Sequence, residues 1–460
     1  MSAHAAAPDT DYLSKPDNRR LEQFPGAYGL PYLGYVFDLL KDPFACVDRH
    51  YRRHGPVCRT RLTGQELLWA LGPDFNRELT TDPRQIYSAR MGYDGPLRDF
   101  FAGGLLMRDF AEHRLHRRLM MSAFKAESAR LQIHDVNALC QRHIAAWGEH
   151  TSLLFYPAVK KLLLDIAARV FLGLDLEAEI ERVNADFLRM MAGVLAIVRK
   201  DWPGFGYGRA MAARRSLARF IGQRLPAKRH DGGADIMSEF AAARDDDGQP
   251  LPDQVVIDHM LFLLLAAHDT TTSALTMAAY YLALDSSLQE RLREEARALP
   301  GDQPSYEDAR ENDRLAGIEC AFNETLRLHP PVPQLMRRIV RDADVLGHAI
   351  AADTLIAISP VFCHRMAEFW REPHRFDPAR FAPGRAEHKA HTHLFIPFGG
   401  GAHKCIGMHF ADLLFKCAMT QLLRRYRWSL AADYRGAASI VHFPFAKLRD
   451  DLPLRLLRID

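Results

Sequence analysis

The chain has 460 residues, of which 48% are hydrophobic and 25% charged, a composition typical of a globular protein with a large core. Its formal net charge of +3 is too small to indicate a general polyanion binder, so nucleic acid is not expected as a partner. The seven scattered cysteines, without a CxxC pair, favour a reducing compartment over a disulfide framework. No segment approaches the ~20 apolar residues needed to span a bilayer, and we predict a cytoplasmic protein.

The N-terminal part predicts a polar tail followed by short regular elements. Residues 1–20 are rich in Ala, Asp and Pro, and we expect them to be disordered. A helix is predicted from Val36 to Tyr51. The loosely alternating residues Val57–Leu71 predict two short strands. Residues 87–104 mix glycine, aromatic and charged residues and, taken alone, predict a surface loop.

A dense basic run, Glu112–Arg118, follows that loop. Helical spacing places His113 and Arg117 on one face and Arg114 and Arg118 on another. No interleaved aromatic platform accompanies the run, which makes nucleic-acid binding a poor explanation for it. Several amphipathic helices are predicted over residues 126–240, interrupted by the Gly-rich segment 201–208.

One long helix is predicted from Asp253 to Leu284, roughly 45–50 Å at about 1.5 Å per residue, and it is apolar on nearly all faces in its middle. An acid in such surroundings, here Asp269, is costly unless it is paired or functional. The hydroxyl of Thr270 can donate to the carbonyl of Ala266, which bends a helix and opens a notch. The neighbouring His268 is interpreted as a polar partner of Asp269.

The segment Phe398–Gly407, which we call the cysteine loop, contains three consecutive glycines and Cys405, and it precedes an apolar run that predicts a buried helix from Met408. Helix N-termini favour a thiolate, the form that binds metals or attacks electrophiles. A merely buried cysteine is the plain alternative. A thiol hydrolase using Cys405 with His403 is disfavoured, because residues two apart do not converge in a regular element.

The cysteine loop, read as Phe-Gly-x-Gly-x-His-x-Cys-x-Gly, and the segment Ala266–Thr271 resemble the haem loop and the oxygen-activation segment of the cytochrome P450 superfamily. Glu324-Thr325-Leu326-Arg327 and the later Arg380 resemble the structural network of that family. The resemblance spans roughly residues 24–450. It implies a mainly α fold with small β-sheets and a long central helix, with residues 21–460 as a single haem-thiolate domain.

The resemblance also implies roles for particular residues. Cys405 would be the axial ligand of the iron in haem b. Asp269 and Thr270, which we call the acid–alcohol pair, would govern proton delivery. Other side chains would contact the cofactor, several at its propionates, with Arg338 as an alternative to Arg337; these are His113, Arg117, Ala266, Arg337, Phe398 and His403.

The implied activity is insertion of one atom of O2 into a C–H bond of a lipophilic small molecule such as a steroid, retinoid or other isoprenoid. Electrons would come from a ferredoxin- or flavodoxin-type donor with its reductase, which would dock on the face of Arg114 and Arg118. Residues 201–208 would form a mobile lid. Two alternatives stay open: a peroxide-driven haem enzyme, which would not need the acid–alcohol pair, and a non-catalytic haem sensor.

Overall fold

The structure, a computed structural model, describes residues 20–459 except 125, 149–151, 175–176, 195, 197–198, 203, 246, 311–313, 432–433, 435–439 and 443–444. Apart from Arg20, the tail predicted over residues 1–20 lies outside the described residues. Within them, no helix is both long enough and apolar enough to cross a membrane.

Helices make up most of the described chain. In chain order they are α1 (Val36–Lys41), α2 (Pro43–His54), α3 (Pro73–Thr81), α4 (Ala89–Phe101), α5 (Phe110–Met120), α6 (Ala126–Trp147), α7 (Phe155–Leu172), α8 (Glu177–Val194), α9 (Gly206–Asp231), α10 (Ile236–Ala242), α11 (Asp253–Leu284), α12 (Ser286–Ala298), α13 (Tyr306–Arg310), α14 (Ala316–Leu328), α15 (Pro360–Cys363) and α16 (Met408–Arg425).

The strands are short and form small sheets. In chain order they are β1 (Val57–Leu62), β2 (Gln65–Ala70), β3 (Tyr87–Ser88), β4 (Leu153–Leu154), β5 (Leu335–Ile339), β6 (Ala343–Val345), β7 (His348–Ile350), β8 (Leu355–Ile358), β9 (Tyr426–Leu430), β10 (Ile440–Val441), β11 (Lys447–Leu448) and β12 (Pro453–Arg458). The largest sheet has the order β1-β2-β8-β5-β3, in which only β2 and β8 run parallel. The mainly α fold with small sheets is thus confirmed.

The long helix α11 lies at the centre of the largest hydrophobic cluster, where it packs against α7, α9, α14 and α16. Its bounds are those predicted from the apolar run, Asp253–Leu284. A helix that is apolar on nearly every side is stable only when other helices surround it. The separate cluster around the five-stranded sheet includes Ile356, Ile358 and Ile396, the last of which leads into the cysteine loop.

The helix predicted over Val36–Tyr51 is wrong in one respect, because it divides into α1 and α2. The break falls at Asp42, whose backbone is extended, and the Asp42 carboxylate accepts a hydrogen bond of 2.9 Å from Ala45 N as an N-cap. Pro43 then opens α2, where its missing N–H costs nothing.

The surface loop predicted over residues 87–104 is also wrong. Ser88 Oγ accepts a hydrogen bond of 2.9 Å from Met91 N and so starts α4. The aromatic residues near the end of α4 are core residues, since Phe100 and Phe101 are almost fully buried. Phe101 makes an edge contact with Phe262 of α11, with ring centroids 6.2 Å apart. Tertiary packing therefore overrides the loop-like composition.

Candidate active site

The cysteine loop approaches the end of α3 so closely that one of its glycines cannot be replaced without displacing backbone. Gly401 has a φ of +58°, and a Cβ at this position would lie 1.7 Å from the carbonyl oxygen of Thr80. The loop is closed by a hydrogen bond of 2.9 Å from Cys405 N to Phe398 O. The glycine run thus serves close packing as well as the turn itself.

The Cys405 thiol faces space inside the protein. Its side chain is exposed, yet desolvation by the surrounding protein raises the pKa of the thiol. An N–H from Gly407 and the charges of Arg117 and Lys404 act in the opposite direction and are outweighed. The predicted preference for the thiolate is therefore wrong for the thiol taken alone, although α16 does begin nearby, at Met408. A group that is both accessible and desolvated lines an interior cavity.

Four predicted cofactor-contacting side chains meet beside this loop: His113, Arg117, Arg337 and His403. The His113 and His403 rings lie 3.8 Å apart between centroids and are tilted by 30°. Burial, followed by the charges of Arg117 and Arg337, lowers the pKa of His113 to about 4, and the same causes hold the pKa of His403 well below its ordinary value. Burial raises the pKa of the Asp109 carboxyl group, although the positive charge of Arg337 acts in the opposite direction. Its Oδ1 accepts a hydrogen bond from Ala89 N, at the start of α4. The cluster is therefore suited to an anionic partner.

The structure distinguishes the two neighbouring arginines of β5. Arg338 donates from Nη1 to the carbonyl of Asp353 at 2.8 Å and lies 3.4 Å from the side-chain oxygen of Gln65. Arg337 donates to Met336 O at 2.8 Å, and its charge acts on His113 and His403. Successive side chains of a strand point to opposite faces, so only Arg337 lies beside the imidazoles.

A line of partly accessible residues runs along the otherwise buried middle of α11. Between Val256 and Tyr280 these residues, which we call the accessible stripe, recur at helical spacing; they are Asp258, Phe262, Ala266, Ala267 and Thr270. Ala267 packs against the same hydrophobic cluster as Phe398 and Ile406 of the cysteine loop. The accessible stripe and the loop therefore both adjoin the main hydrophobic cluster.

The predicted hydrogen bond in the middle of α11 is confirmed. Thr270 Oγ1 donates to Ala266 O at 2.8 Å. Thr271 and Thr272 repeat the pattern one and two residues later, at 3.2 and 2.8 Å. Such bonds loosen a helix locally, and the small side chain of Ala266 leaves room beside the loosened turn.

The acid of the pair has partners on two sides. Asp269 is only 4% exposed, and its Oδ1 lies 2.8 Å from Lys160 Nζ on α7. His268 Nε2 lies 3.3 Å from the same oxygen, as expected for a polar neighbour. Lys160 was not identified from sequence, and the only available signal was a lysine pair within the apolar run of α7.

Glu324, Arg327 and Arg380 form the ion-pair network that the resemblance implies. Arg327 contacts both oxygens of Glu324, at 2.6 and 2.8 Å, and Arg380 reaches Glu324 Oε1 at 3.1 Å. Arg327 also donates to His364 O at 2.8 Å, and His364 Nε2 accepts from Ile396 N at 3.0 Å. His364, which sequence reasoning missed, therefore connects the network to the segment that leads into the cysteine loop.

The predicted lid is partly described, since Pro203 lies outside the described residues. Trp202 and Phe205 are 55% and 60% exposed and contact each other edge to face, with ring centroids 5.7 Å apart. Beside them, Asp99 of α4 receives a hydrogen bond from Tyr207 and lies 3.7 Å from Arg199. These contacts fasten the segment between α8 and α9 to α4.

The faces of α5 separate as the helical spacing predicts. His113 is buried and Arg117 is half-buried, whereas Arg114 and Arg118 are exposed. One face therefore turns toward the interior cluster of basic side chains. The other face presents positive charge to the protein surface.

These observations fit a planar cofactor that carries a metal and anionic groups. Cys405 offers a thiol to an interior cavity, and four basic side chains meet next to it. The accessible stripe of α11 includes the small side chains of Ala266 and Ala267. Haem has this combination of a metal centre and two carboxylates.

Comparison with known proteins agrees with a haem site. The profile of the family "Cytochrome P450" matches residues 24–436. The chain is 35% identical over 441 residues to cytochrome P450 136 of Mycobacterium tuberculosis, covering 95% of this chain and 89% of that protein. It is 26% identical over 446 residues to abscisic acid 8'-hydroxylase 1 of Arabidopsis thaliana, covering 94% and 91%.

Among solved structures, the retinoic acid bound cyanobacterial CYP120A1 superposes with a TM-score of 0.84 at 26% identity. The alignment covers 95% of this chain and 99% of that chain. The similarity thus extends over nearly the full length of both proteins.

Proposed function

The chain belongs to the cytochrome P450 family, and on that premise we propose that it hydroxylates a lipophilic small molecule of the steroid, retinoid or other isoprenoid class. It is a cytochrome P450 monooxygenase with haem b as its cofactor. The proposal concerns its substrate class, its electron donor and the roles of individual residues.

The accessible stripe of α11 carries the substrate proposal. Phe262, Ala266 and Ala267 give it an apolar surface, which suits a substrate without charged groups near the reacting carbon. Relatives support the class by their names, since one hydroxylates abscisic acid and a structural neighbour is bound to retinoic acid. The exposed aromatic residues Trp202 and Phe205 of the lid are compatible with the passage of an apolar molecule.

Within the proposal, Cys405 Sγ would hold the haem iron. A bound metal ion deprotonates a coordinating thiol, which overcomes the raised pKa of the Cys405 thiol. The basic cluster of His113, Arg117, Arg337 and His403 would bind the carboxylates of the haem. Phe398 and Ala266 would contact the cofactor. When bound, haem activates O2, while the role of these residues is to bind and orient the haem.

Asp269 and Thr270 are proposed to hold and move protons at the distal side. Thr270 keeps its hydroxyl hydrogen on Ala266 O, so its oxygen lone pairs are available to accept a proton or a water hydrogen. Asp269 is buried one residue away and can supply that proton from its carboxyl group. Lys160 links Asp269 to the side of α7, where the lysine side chain is 22% exposed.

The electron donor is proposed to be a separate acidic protein of the ferredoxin or flavodoxin type, with its reductase. Arg114 and Arg118 present positive charge on the exposed face of α5, the helix whose other face carries His113 and Arg117. Electrostatic attraction over such a patch accelerates association with an acidic partner. A cytoplasmic location is part of the proposal, supported by seven cysteines that are all free thiols.

The experiment is a substrate panel on the purified haem-loaded enzyme. Retinoic acid, abscisic acid, β-amyrin, a steroid and, as a non-isoprenoid control, a macrolide are each offered with NADH, a ferredoxin and its reductase. The expected result is a substrate-induced shift of the haem absorption and a singly hydroxylated product for at least one isoprenoid. Turnover of the macrolide alone, or turnover with peroxide but never with the electron donor, would overturn the proposal.

A further inference from the structure

The imidazole of His268 is fixed in one tautomer by the helix to which it belongs. Its side chain is fully buried on α11, and Nδ1 lies 3.0 Å from the carbonyl oxygen of Leu264. A carbonyl oxygen only accepts, so Nδ1 carries the hydrogen. Burial, with the charge of Lys160, outweighs the opposing charge of Asp269 and lowers the pKa of His268 to about 4, so the ring is neutral at pH 7 and Nε2 has a lone pair.

That lone pair faces a second acceptor. His268 Nε2 and Asp269 Oδ1 are 3.3 Å apart, and neither has a hydrogen bond of acceptable geometry among the described residues. The ring cannot turn away, because Phe187 of α8 packs edge-on against it with centroids 4.6 Å apart. Two buried acceptors at this distance repel each other unless a hydrogen lies between them.

The hydrogen can come from water on the side of Lys160. The lysine Nζ lies 2.8 Å from Asp269 Oδ1, and the lysine side chain is 22% exposed, whereas the Asp269 side chain is 6% exposed. Tyr156 lies near the lysine, with its ring centroid 5.9 Å from Lys160 Nζ, and Lys447 Nζ lies 4.6 Å from the same centroid. Lys447 is itself paired with Asp451 at 2.9 Å. Lys160 is thus the link between Asp269 and the exterior.

We propose that His268 is a positioning residue for proton delivery, whose Nε2 accepts the hydrogen bond of Asp269 in its protonated form. The proposal rests on the role given above to Asp269. A hydronium ion arriving from the Lys160 side breaks an O–H bond as an O–H bond forms at Asp269 Oδ1, which leaves water, while the Lys160 ammonium keeps its protons. The new O–H donates to Nε2.

Asp269 later releases the same proton toward the Thr270 side of the helix, and the carboxylate that remains pairs again with Lys160. One proton enters from water and one leaves into the pocket in each cycle, with no change in oxidation state at the three side chains. His268 itself gains no proton. Its function is to hold a protonated carboxyl group in place between uptake and release.

Two substitutions separate this role from a purely structural one. His268→Asn keeps a donor near the position of Nδ1, which can serve Leu264, and loses Nε2. His268→Gln places an amide near the position of Nε2, which can accept from Asp269, and loses the Leu264 bond. Positioning predicts that the Gln variant retains the ratio of product formed to NADH consumed, while the Asn variant loses about fivefold, the effect of one hydrogen bond.

The matched control is His259→Gln. His259 is also a buried histidine of α11, but it pairs with His116 at 2.9 Å and lies about 13 Å from His268 along the helix axis. We expect this control to keep the wild-type ratio. The reduced, carbon monoxide-treated spectrum checks in each variant that haem is still held. The compound oxidised in the substrate panel serves as the substrate.

A second readout needs no turnover. In infrared spectra of the haem-loaded protein recorded while the pH is lowered, we expect a carboxylic acid band that is absent in Asp269→Asn and displaced in His268→Asn. An Asp269 band that is the same in wild type and His268→Asn would overturn the inference. The inference would also be overturned if His268→Asn kept the ratio of product to NADH while His268→Gln lost it. That pattern would mean that the bond to Leu264, and not Nε2, matters.

The two proposals fail differently. If Asp269→Asn lowers the ratio of product to NADH but both His268 variants keep it, His268 has no positioning role and the function of Asp269 stands. If Asp269→Asn keeps the wild-type ratio, the role of Asp269 is wrong and the inference about His268 falls with it.

Discussion

Arg327 and Glu324 form a two-pronged ion pair in which both side chains are fully buried, with N···O distances of 2.6 and 2.8 Å. A third group, Arg380, shares the Glu324 carboxylate at 3.1 Å. Removing one member of such a group leaves charges buried without compensation.

Glu324→Gln should therefore lower the free energy of unfolding by about 3–5 kcal/mol, measured by urea denaturation at pH 7. The matched control is Glu372→Gln, whose partner Arg375 lies 3.4 Å away in an exposed pair. Exposed pairs contribute only about 0–1 kcal/mol. Equal losses in both variants would contradict the structural role of the buried network.

Gly401→Ala should prevent the cysteine loop from closing. The added methyl group would meet the carbonyl of Thr80, and the positive φ disfavours any side chain, so a loss of stability of about 3 kcal/mol is expected. Haem content after purification and thermal unfolding are the measurements. Gly384→Ala is the control, because a Cβ there meets nothing within 4 Å. A Gly401→Ala variant with full haem content would show that the loop does not need this close approach.

Arg337 and Arg338 should differ in their effect on haem. Arg337→Gln removes a charge from the proposed propionate cluster and should speed haem loss to a haem-scavenging protein about tenfold, the effect of one charged hydrogen bond. Arg338→Gln breaks contacts to Asp353 and Gln65 and should lower stability without changing the rate of haem loss. The reverse pattern would assign the propionate to Arg338.

Thr270→Ala should lower the product formed per NADH consumed about tenfold or more, because the proposed group for proton transfer is lost. Consumption of NADH itself continues, with reduced oxygen species released instead of product. With peroxide in place of NADH and O2, the variant should work as well as wild type. Unchanged NADH-driven product formation would show that Thr270 is not needed for proton delivery.

His364 should make the protein sensitive to acid. Burial lowers the pKa of His364 to about 3, below its ordinary value of 6.5. The unfolded chain binds a proton that the folded chain excludes, so the contribution to stability is complete above pH 6.5 and is lost as the pH falls toward 3. His364→Gln keeps an acceptor for Ile396 N but does not titrate. As the pH falls from 6.5 to 4.5, we expect the unfolding free energy of this variant to fall less steeply than that of wild type. The difference between the two slopes should be about 1.4 kcal/mol per pH unit.

Urea denaturation at several pH values measures this slope. The control is His230→Gln, at a surface position 88% exposed in its side chain, which should leave the slope unchanged. Identical slopes for wild type and His364→Gln would mean that His364 is not held neutral in the folded protein.

The long helix and the cysteine loop could be predicted because their signals are contiguous in the sequence. The apolar run of α11 has the predicted bounds, and Thr270 bonds to Ala266 within one helical turn. Prediction failed where distant segments decide the outcome. Residues 87–104 have the composition of a loop, yet most of them form the helix α4 because Phe100 and Phe101 are buried in the core.

The contact partners of the predicted residues could not be predicted from the sequence either. Lys160 meets Asp269 because α7 packs across α11, and His364 meets Ile396 through the fold of the segment before the cysteine loop. The direction of the Cys405 pKa also depends on burial, which a local motif does not report. The choice between Arg337 and Arg338 required the register of β5, since one residue of slip exchanges the two faces.

The central claim is that Cys405 holds the haem iron, and the absorption spectrum of the reduced protein under carbon monoxide tests it most directly. Thiolate ligation predicts a strongly red-shifted Soret band in wild type, which is lost in Cys405→Ser and kept in Cys320→Ser, a variant of a half-buried cysteine on α14. A haem-free protein, a histidine-type spectrum in wild type, or a red-shifted band that persists in Cys405→Ser would contradict the account.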